Sequence, residues 1–250
     1  MPRYLVALFF TSLQLFGFTV MAQTPAAYPR GVQALPCQAA IPQGHQFNLD
    51  FGQFCRFEGA NAKLPPATDH RVVYFGDSLT EMWGTRIPGI LADDVINRGI
   101  SGQTTAQMLV RFRSDVINLQ PKIVHLMMGT NDIAGNTGAT TIQRIEDAIA
   151  TMAELARANG IRVVLASVLP AKKLSWRPGI DPVPPIQAIN KWLVSYAAKE
   201  GFTHVDYYSA LTDGRDGMNP AYTQDGVHPT AAGYDVMIPL AADAIQRANR

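Results

Sequence analysis

One serine, Ser78, interrupts an apolar run in "RVVYFGDSLTEMW", and one histidine, His228, stands three residues after an aspartate, Asp225, in "DGVHPT". A serine hydroxyl attacks a carbonyl only when a base takes its proton, and that base needs a third group to hold it in the right tautomer. The chain has five histidines. His125 and His204 fall inside apolar runs, where a hydrogen-bonded core histidine is expected. His45 lies in an irregular stretch, and His70 directly precedes the first strand, at the sheet end away from a ligand. His228 remains. In a tight Asp-x-x-His turn the Asp225 carboxylate can reach Nδ1 while Nε2 faces outward. The same residues, with Gly226 and Pro229, also suit an ordinary exposed turn, so the motif alone leaves both readings open.

Cleaving an ester also requires donors aimed at the developing oxyanion, each worth about 3 kcal/mol of barrier when preorganised. Two stretches can supply them. "NRGISGQTT" contains Gly102, whose backbone N–H can approach a ligand closely, and it opens a helix whose dipole favours negative charge. "MMGTND" ends another apolar run and carries the Asn131 amide. Taken singly these are weak signals, because a glycine after a strand is commonly a turn and an Asn-Asp pair commonly a cap. Their order gives them weight: Ser78, Gly102, Asn131 and the Asp225/His228 turn follow the first, second, third and final strand runs.

The elements that must position them are legible as alternation. Short apolar runs "RVVYF", "DVIN", "KIVHLMMG", "RVVLASVLP" and "THVDYY" are separated by longer segments of helical spacing. Strands alternating with helices imply a mostly parallel sheet covered on both faces, and ligands of such sheets bind at the carboxyl ends of the strands. One helix is expected from about Thr140 to Asn159, with Ile142, Ile145, Ile149, Met152 and Leu155 along one face. Another is expected from about Pro185 to Gly201, and a third after Pro229-Thr230. Residues 170–185, "PAKKLSWRPGIDPVPP", hold too much proline for a regular element. This segment follows the fourth strand, so Trp176 and Arg177 either line a substrate cleft or belong to a rigid surface loop.

Together, Gly76-Asp77-Ser78-Leu79, Gly102 in "NRGISG", Gly129-Thr130-Asn131-Asp132 and Asp225-Gly226-Val227-His228-Pro229 resemble the four signature blocks of the GDSL, or SGNH, hydrolase family, in matching order. The likeness spans residues 71 to about 245. It implies a flavodoxin-like three-layer α/β/α fold with a parallel five-stranded sheet. It also implies Ser78 as nucleophile, His228 as general base and then acid, Asp225 as its orienting partner, and an oxyanion hole made of the Ser78 and Gly102 N–H groups and the Asn131 side chain. No metal or organic cofactor belongs to that pattern. Asp77 and Asp132 fall within the motifs and are read as structural.

The chain has 250 residues, enough for one catalytic-sized domain, and 21 Lys+Arg against 20 Asp+Glu. Such a balance leaves no field to gather nucleic acid or an anionic membrane surface, so a small-molecule or carbohydrate ester is the expected partner; oligomeric state is not legible. Residues 1–22 read as an export signal cut near Ala22; a membrane anchor is the alternative, disfavoured by Thr11, Ser12, Gln14 and Gly17 within the apolar stretch. Residues 23–69 read as an irregular extension, with order beginning near Arg71. It contains both cysteines, Cys37 and Cys55, which an oxidising compartment would allow to pair, closing a loop worth about 3 kcal/mol. Two free thiols are the alternative, and no metal-ligand spacing is present.

The resulting expectation is an exported serine esterase for short-chain or O-acetyl esters of carbohydrates, periplasmic or secreted, with a lysophospholipase- or thioesterase-like activity as the alternative. A noncatalytic binding module on the same fold would be expected to have a broken triad. A nucleotide-binding protein would need a G-x-G-x-x-G or P-loop sequence where "GDSLTEMWG" stands.

Overall fold

The computed structural model describes residues 50–86 and 94–250. The proposed export signal, the first part of the extension and Cys37 lie outside the described residues. Five strands, β1 (Val72–Gly76), β2 (Val95–Gly99), β3 (Ile123–Met127), β4 (Arg162–Ala166) and β5 (Thr203–Val205), form one parallel sheet in the order β2-β1-β3-β4-β5. The helices are α1 (Glu58–Asn61), α2 (Ser78–Arg86), α3 (Thr105–Asp115), α4 (Thr130–Ile133), α5 (Ile142–Ala158), α6 (Val183–Glu200), α7 (Tyr207–Leu211) and α8 (Ala231–Ala248). This is the three-layer α/β/α fold expected from the alternation.

Strand residues divide strictly between the layers, because successive side chains point to opposite faces. Val73, Phe75, Val124, Leu126, Val163 and Leu165 pack with Met108 and Phe112 of α3, Ile145, Ile149 and Met152 of α5, and Ile186, Ile189 and Leu193 of α6. Val72, Tyr74, Ile123, Met127, Val164 and Ala166 pack with Leu79 and Trp83 of α2, Tyr207 and Leu211 of α7, and Tyr234, Met237 and Ala241 of α8. With both faces covered, β1 and β3 are buried at every position. That is why they read as continuous apolar runs rather than alternating ones.

The register aligns the carboxyl edge of the sheet. Gly76 pairs with Gly99 on one side and Met127 on the other, so β1, β2 and β3 end level with one another. The chain winds from β1 out to β2 and then back to β3, which makes β1 the point where the strand order reverses. Space there is tight: a Cβ on Gly76 would sit 2.2 Å from Thr80 Oγ1 and 2.3 Å from the Met127 carbonyl oxygen, and one on Gly99 2.2 Å from the Glu81 nitrogen. Only glycine lets α2 start directly against its neighbouring strands.

Helix bounds differ from the sequence expectation by a residue or two. α5 begins at Ile142 because the Thr141 hydroxyl caps it, accepting from the Arg144 N–H. α6 begins at Val183 with prolines in its first turn, where their missing N–H groups cost nothing. Regular structure begins before Arg71: Phe54–Arg56 forms a 3-10 turn and α1 follows it. Asp50 starts this turn by accepting from the Phe54 and Cys55 N–H groups. At its end, the Asn61 amide bonds Asp115 Oδ1 at 2.9 Å and its Oδ1 accepts from the Arg98 guanidinium at 2.6 and 2.8 Å.

Candidate active site

Ser78 is the first residue of α2, directly after the turn that leaves β1. The N–H groups of a helix's first turn have no intrahelical acceptor, so its backbone N–H is available where its hydroxyl emerges. Gly102 follows β2 with φ of +80°, and its N–H has no protein acceptor among the described residues. Asn131 lies in α4, which leaves β3 through Gly129 at φ of +119°. His228 stands three residues before Ala231, where α8 begins. The four sequence blocks therefore meet at one sheet edge, from chain positions as much as 150 residues apart.

Ser78 Oγ lies 3.0 Å from His228 Nε2, and His228 Nδ1 lies 2.7 Å from Asp225 Oδ2. The other Asp225 oxygen, Oδ1, accepts from the N–H groups of Val227 at 2.9 Å and His228 at 2.8 Å, and from Thr223 Oγ1 at 3.2 Å. The turn itself thus fixes the carboxylate, with Gly226 at φ of +84°. Burial pushes the Asp225 carboxyl up, but these backbone N–H bonds and the imidazole outweigh it and bring it down to about 2. A carboxylate that stays ionised holds the proton on Nδ1 and leaves Nε2 free to accept from serine.

Asn131 is held by a polar network. Asn131 Nδ2 donates to the Gln103 carbonyl at 3.0 Å and to Asp77 Oδ2 at 3.2 Å. Asp77 is fully buried; its Oδ1 accepts from the Leu79 N–H at 2.9 Å, and burial lifts its carboxyl to about 7. Asp132 accepts from the Thr105 N–H and hydroxyl, pinning α4 to the start of α3. Both aspartates thus bond to groups next to the site, Asp77 to Asn131 and the Leu79 N–H and Asp132 to Thr105.

The loop bearing Gly102 is gripped on several sides. Glu81 accepts from the Ser101 N–H at 2.8 Å and, at its other oxygen, from Arg56 at 2.8 Å. Gln103 donates to the Gly52 carbonyl at 3.0 Å and accepts from the fully buried Arg111 at 2.6 Å. Arg111 also reaches the carbonyls of Gly76 and Arg98 and the Asp115 carboxylate. The described part of the extension therefore supports the Gly102 loop through Gly52 and Arg56. The Gly52 contact had no signal in the sequence, because a backbone carbonyl carries no sequence identity.

Trp176 and Arg177 lie beside these residues. The Trp176 ring centroid is 6.4 Å from that of His228, its Nε1 donates to Asn136 Oδ1 at 3.1 Å, and Arg177 Nη2 donates to the Gly135 carbonyl at 3.3 Å. Asn136 went unread in the sequence. Of the remaining histidines, His125 is buried against the Tyr207 hydroxyl at 2.9 Å and His70 pairs with Asp69 near the start of β1. Among the described residues no three His, Cys, Asp or Glu side chains gather to hold a metal ion.

Comparison with known proteins decides what this constellation belongs to. The sequence model of the GDSL-like lipase/acylhydrolase family matches residues 74–236, which takes in all four blocks. This chain belongs to that family. As a GDSL-like acylhydrolase it is an ester-bond hydrolase, and its solved relatives repeat its fold. A GDSL-like lipase from Bacteroides thetaiotaomicron is 44% identical, with a TM-score of 0.77 over 79% of this chain and 99% of that one. The esterase TesA of Pseudomonas aeruginosa is 31% identical over 163 residues, 63% of this chain and 74% of TesA. A shorter match of 80 residues, 36% identical, covers 31% of this hydrolase and 33% of the uncharacterized lipoprotein YqeF of Bacillus subtilis. The acetylxylan esterase Axe2 of Geobacillus stearothermophilus shares the fold, with a TM-score of 0.60 at 18% identity over 73% of this chain and 96% of that one.

Proposed function

We propose that this hydrolase is an exported serine esterase that removes short acyl groups, acetyl foremost, from carbohydrates or similar neutral alcohols through an acyl-enzyme on Ser78. The observation that carries the chemistry is the unbroken relay from Ser78 Oγ to His228 Nε2 at 3.0 Å and from His228 Nδ1 to Asp225 Oδ2 at 2.7 Å. A binding module on this fold would have no need of it.

The steps follow from the geometry. Ser78 Oγ attacks the ester carbonyl carbon as its proton passes to His228 Nε2. The carbonyl oxygen becomes an oxyanion held by the N–H groups of Ser78 and Gly102 and by the Asn131 amide. Asn131 gives up its longer bond, the one to Asp77, for that oxygen, since catalytic hydrogen bonds commonly tighten only with substrate in place. The tetrahedral adduct collapses, the alcohol leaves with the proton from His228, and the acyl group stays on Ser78. Water, giving its proton to His228, attacks the acyl carbon, and collapse of the second adduct releases the acid and restores the serine. Because the base must be neutral to take the serine proton, kcat/KM falls in acid. A profile that stays flat in acid would remove His228 from the role.

The preference for a sugar-borne acyl group rests on the site's rim. Trp176 is 38% exposed beside His228, an aromatic face of the kind on which sugar rings stack, with the Arg177 side chain next to it in sequence. Among the described residues no helix is long and apolar enough to cross a membrane. Turnover of p-nitrophenyl esters from acetate to palmitate, of acetylated xylan and of a lysophospholipid, each beside the Ser78→Ala variant, tests this reading. Preference for acetyl, above all on sugar, supports it; preference for long chains or lysophospholipid, the alternative that the family resemblance leaves open, overturns the substrate assignment while leaving the chemistry.

A further inference from the structure

Asn136 has no place among the four sequence blocks, yet it touches two of the three oxyanion residues and the loop at the substrate rim. Its Nδ2 donates to Asn131 Oδ1 at 2.9 Å and to the Gly102 carbonyl at 3.1 Å, its backbone N–H donates to the Asn131 carbonyl at 3.0 Å, and its Oδ1 accepts from Trp176 Nε1 at 3.1 Å. The surroundings define the amide's orientation without ambiguity: two acceptors face one end and a donor that cannot accept, the indole N–H, faces the other. One residue before it, the Gly135 carbonyl takes Arg177, so the 170–182 loop is fastened to this turn at two adjacent positions.

Resting on the oxyanion role of Asn131 given above, we propose that Asn136 is a positioning residue for catalysis: it holds the Asn131 amide aimed at the oxyanion and joins that amide to the Trp176 rim. Asn131 is 5% exposed, and the Asn136 amide is the side-chain donor to its Oδ1. Without that donor the oxygen is left buried and unmatched, and the whole amide turns toward whatever can satisfy it. Because a donor used in the transition state must already point at the incipient charge, a displacement of this kind falls on kcat rather than on KM. The link to Trp176 gives the residue a second consequence: the side chain that would meet the sugar and the amide that would meet the oxyanion are two bonds apart, through one carboxamide.

The test is a double-mutant cycle on p-nitrophenyl acetate hydrolysis with Asn131→Ala, Asn136→Ala and the double variant, with Asn136→Asp as a fourth enzyme. The Asp variant keeps an acceptor for Trp176 but loses the donor to Asn131. Asn136→Ala and Asn136→Asp are both expected to lower kcat on the order of 10- to 100-fold with KM changed by less than about threefold. The double variant should be no slower than Asn131→Ala alone. Equal further loss in the double variant would mean that Asn136 does not work through Asn131, and an unchanged kcat in Asn136→Ala with a reduced one in Asn131→Ala would overturn the proposal by itself. An unchanged kcat in Asn131→Ala would instead remove the oxyanion assignment beneath it. Absence of turnover by the unmodified protein would overturn the hydrolase reading and the proposal with it.

Discussion

Replacing Asp225 by Asn removes a charge while preserving most of the turn's hydrogen bonding. The Oδ1 position accepts from the Val227 and His228 N–H groups and from Thr223, and an amide oxygen can take all three. The Oδ2 position, 2.7 Å from His228 Nδ1, becomes an NH2 group. It would then face an N–H donor, and the imidazole escapes that clash by moving its proton to Nε2. Nε2–H in turn faces Ser78 Oγ at 3.0 Å and can no longer accept the serine proton. The expected loss is about 10³- to 10⁴-fold in kcat, or about 4–5.5 kcal/mol of barrier. Since the Asp225 side chain is 45% exposed, global stability should change by less than about 1 kcal/mol. Initial rates on p-nitrophenyl acetate, with thermal melting as a control on folding, measure both quantities. A loss of less than about tenfold with an intact fold would refute the tautomer argument.

Three further outcomes rest on other parts of the molecule. Arg111→Ala leaves the fully buried Asp115 without its ion-pair partner and takes one donor each from Gln103 and the Arg98 and Gly76 carbonyls, so it should cost about 3–5 kcal/mol or prevent folding, read by chemical denaturation; a loss below about 1 kcal/mol would contradict the role given to Arg111. Gly76→Ala places a methyl group 2.3 Å from the Met127 carbonyl, and soluble yield and melting temperature should both fall; an unchanged melting temperature would show that β1 and α2 have room to part. Burial lowers His125 to about 3. The unfolded chain takes up this proton near pH 6.5 while the folded state refuses it, so the group's contribution to stability is complete above about 6.5 and lost as pH falls toward 3. Between pH 7 and 4 the unfolding free energy of His125→Gln should therefore gain about 3 kcal/mol relative to the unmodified protein, and a constant difference would mean that the ring is not held neutral.

The parts of this molecule that the sequence revealed are those where one physical demand dominates. β1 and β3 are covered on both faces, so their apolar runs had no other reading. The stripe of Ile145, Ile149 and Met152 marks the buried side of α5 for the same reason. That Ser78, Gly102, Asn131, Asp225 and His228 gather in one place was legible because strand ends bring distant blocks to one edge. The "DVIN" run concealed two residues: β2 continues through Arg98 and Gly99. Arg98 is 5% exposed and Arg111 is fully buried, whereas a charged residue defaults to solvent in any sequence reading. Each is held by partners far along the chain, Asn61 for one and the Gly76 carbonyl for the other. Asn136 escaped notice similarly, since a lone Asn after a glycine reads as a turn. Trp176 and Arg177 could be assigned to a loop at the correct edge, but only coordinates bring the indole beside His228.

The central claim is that Ser78 is the nucleophile, and covalent trapping tests it most directly. The purified protein would be incubated with diethyl p-nitrophenyl phosphate, its intact mass followed alongside ester turnover, and the adduct located by peptide mapping. A single diethylphosphoryl group on Ser78 is expected, with loss of turnover in proportion to its appearance and no adduct in Ser78→Ala. An adduct on another residue that accounts for the lost turnover, or full turnover with Ser78 blocked, would contradict it.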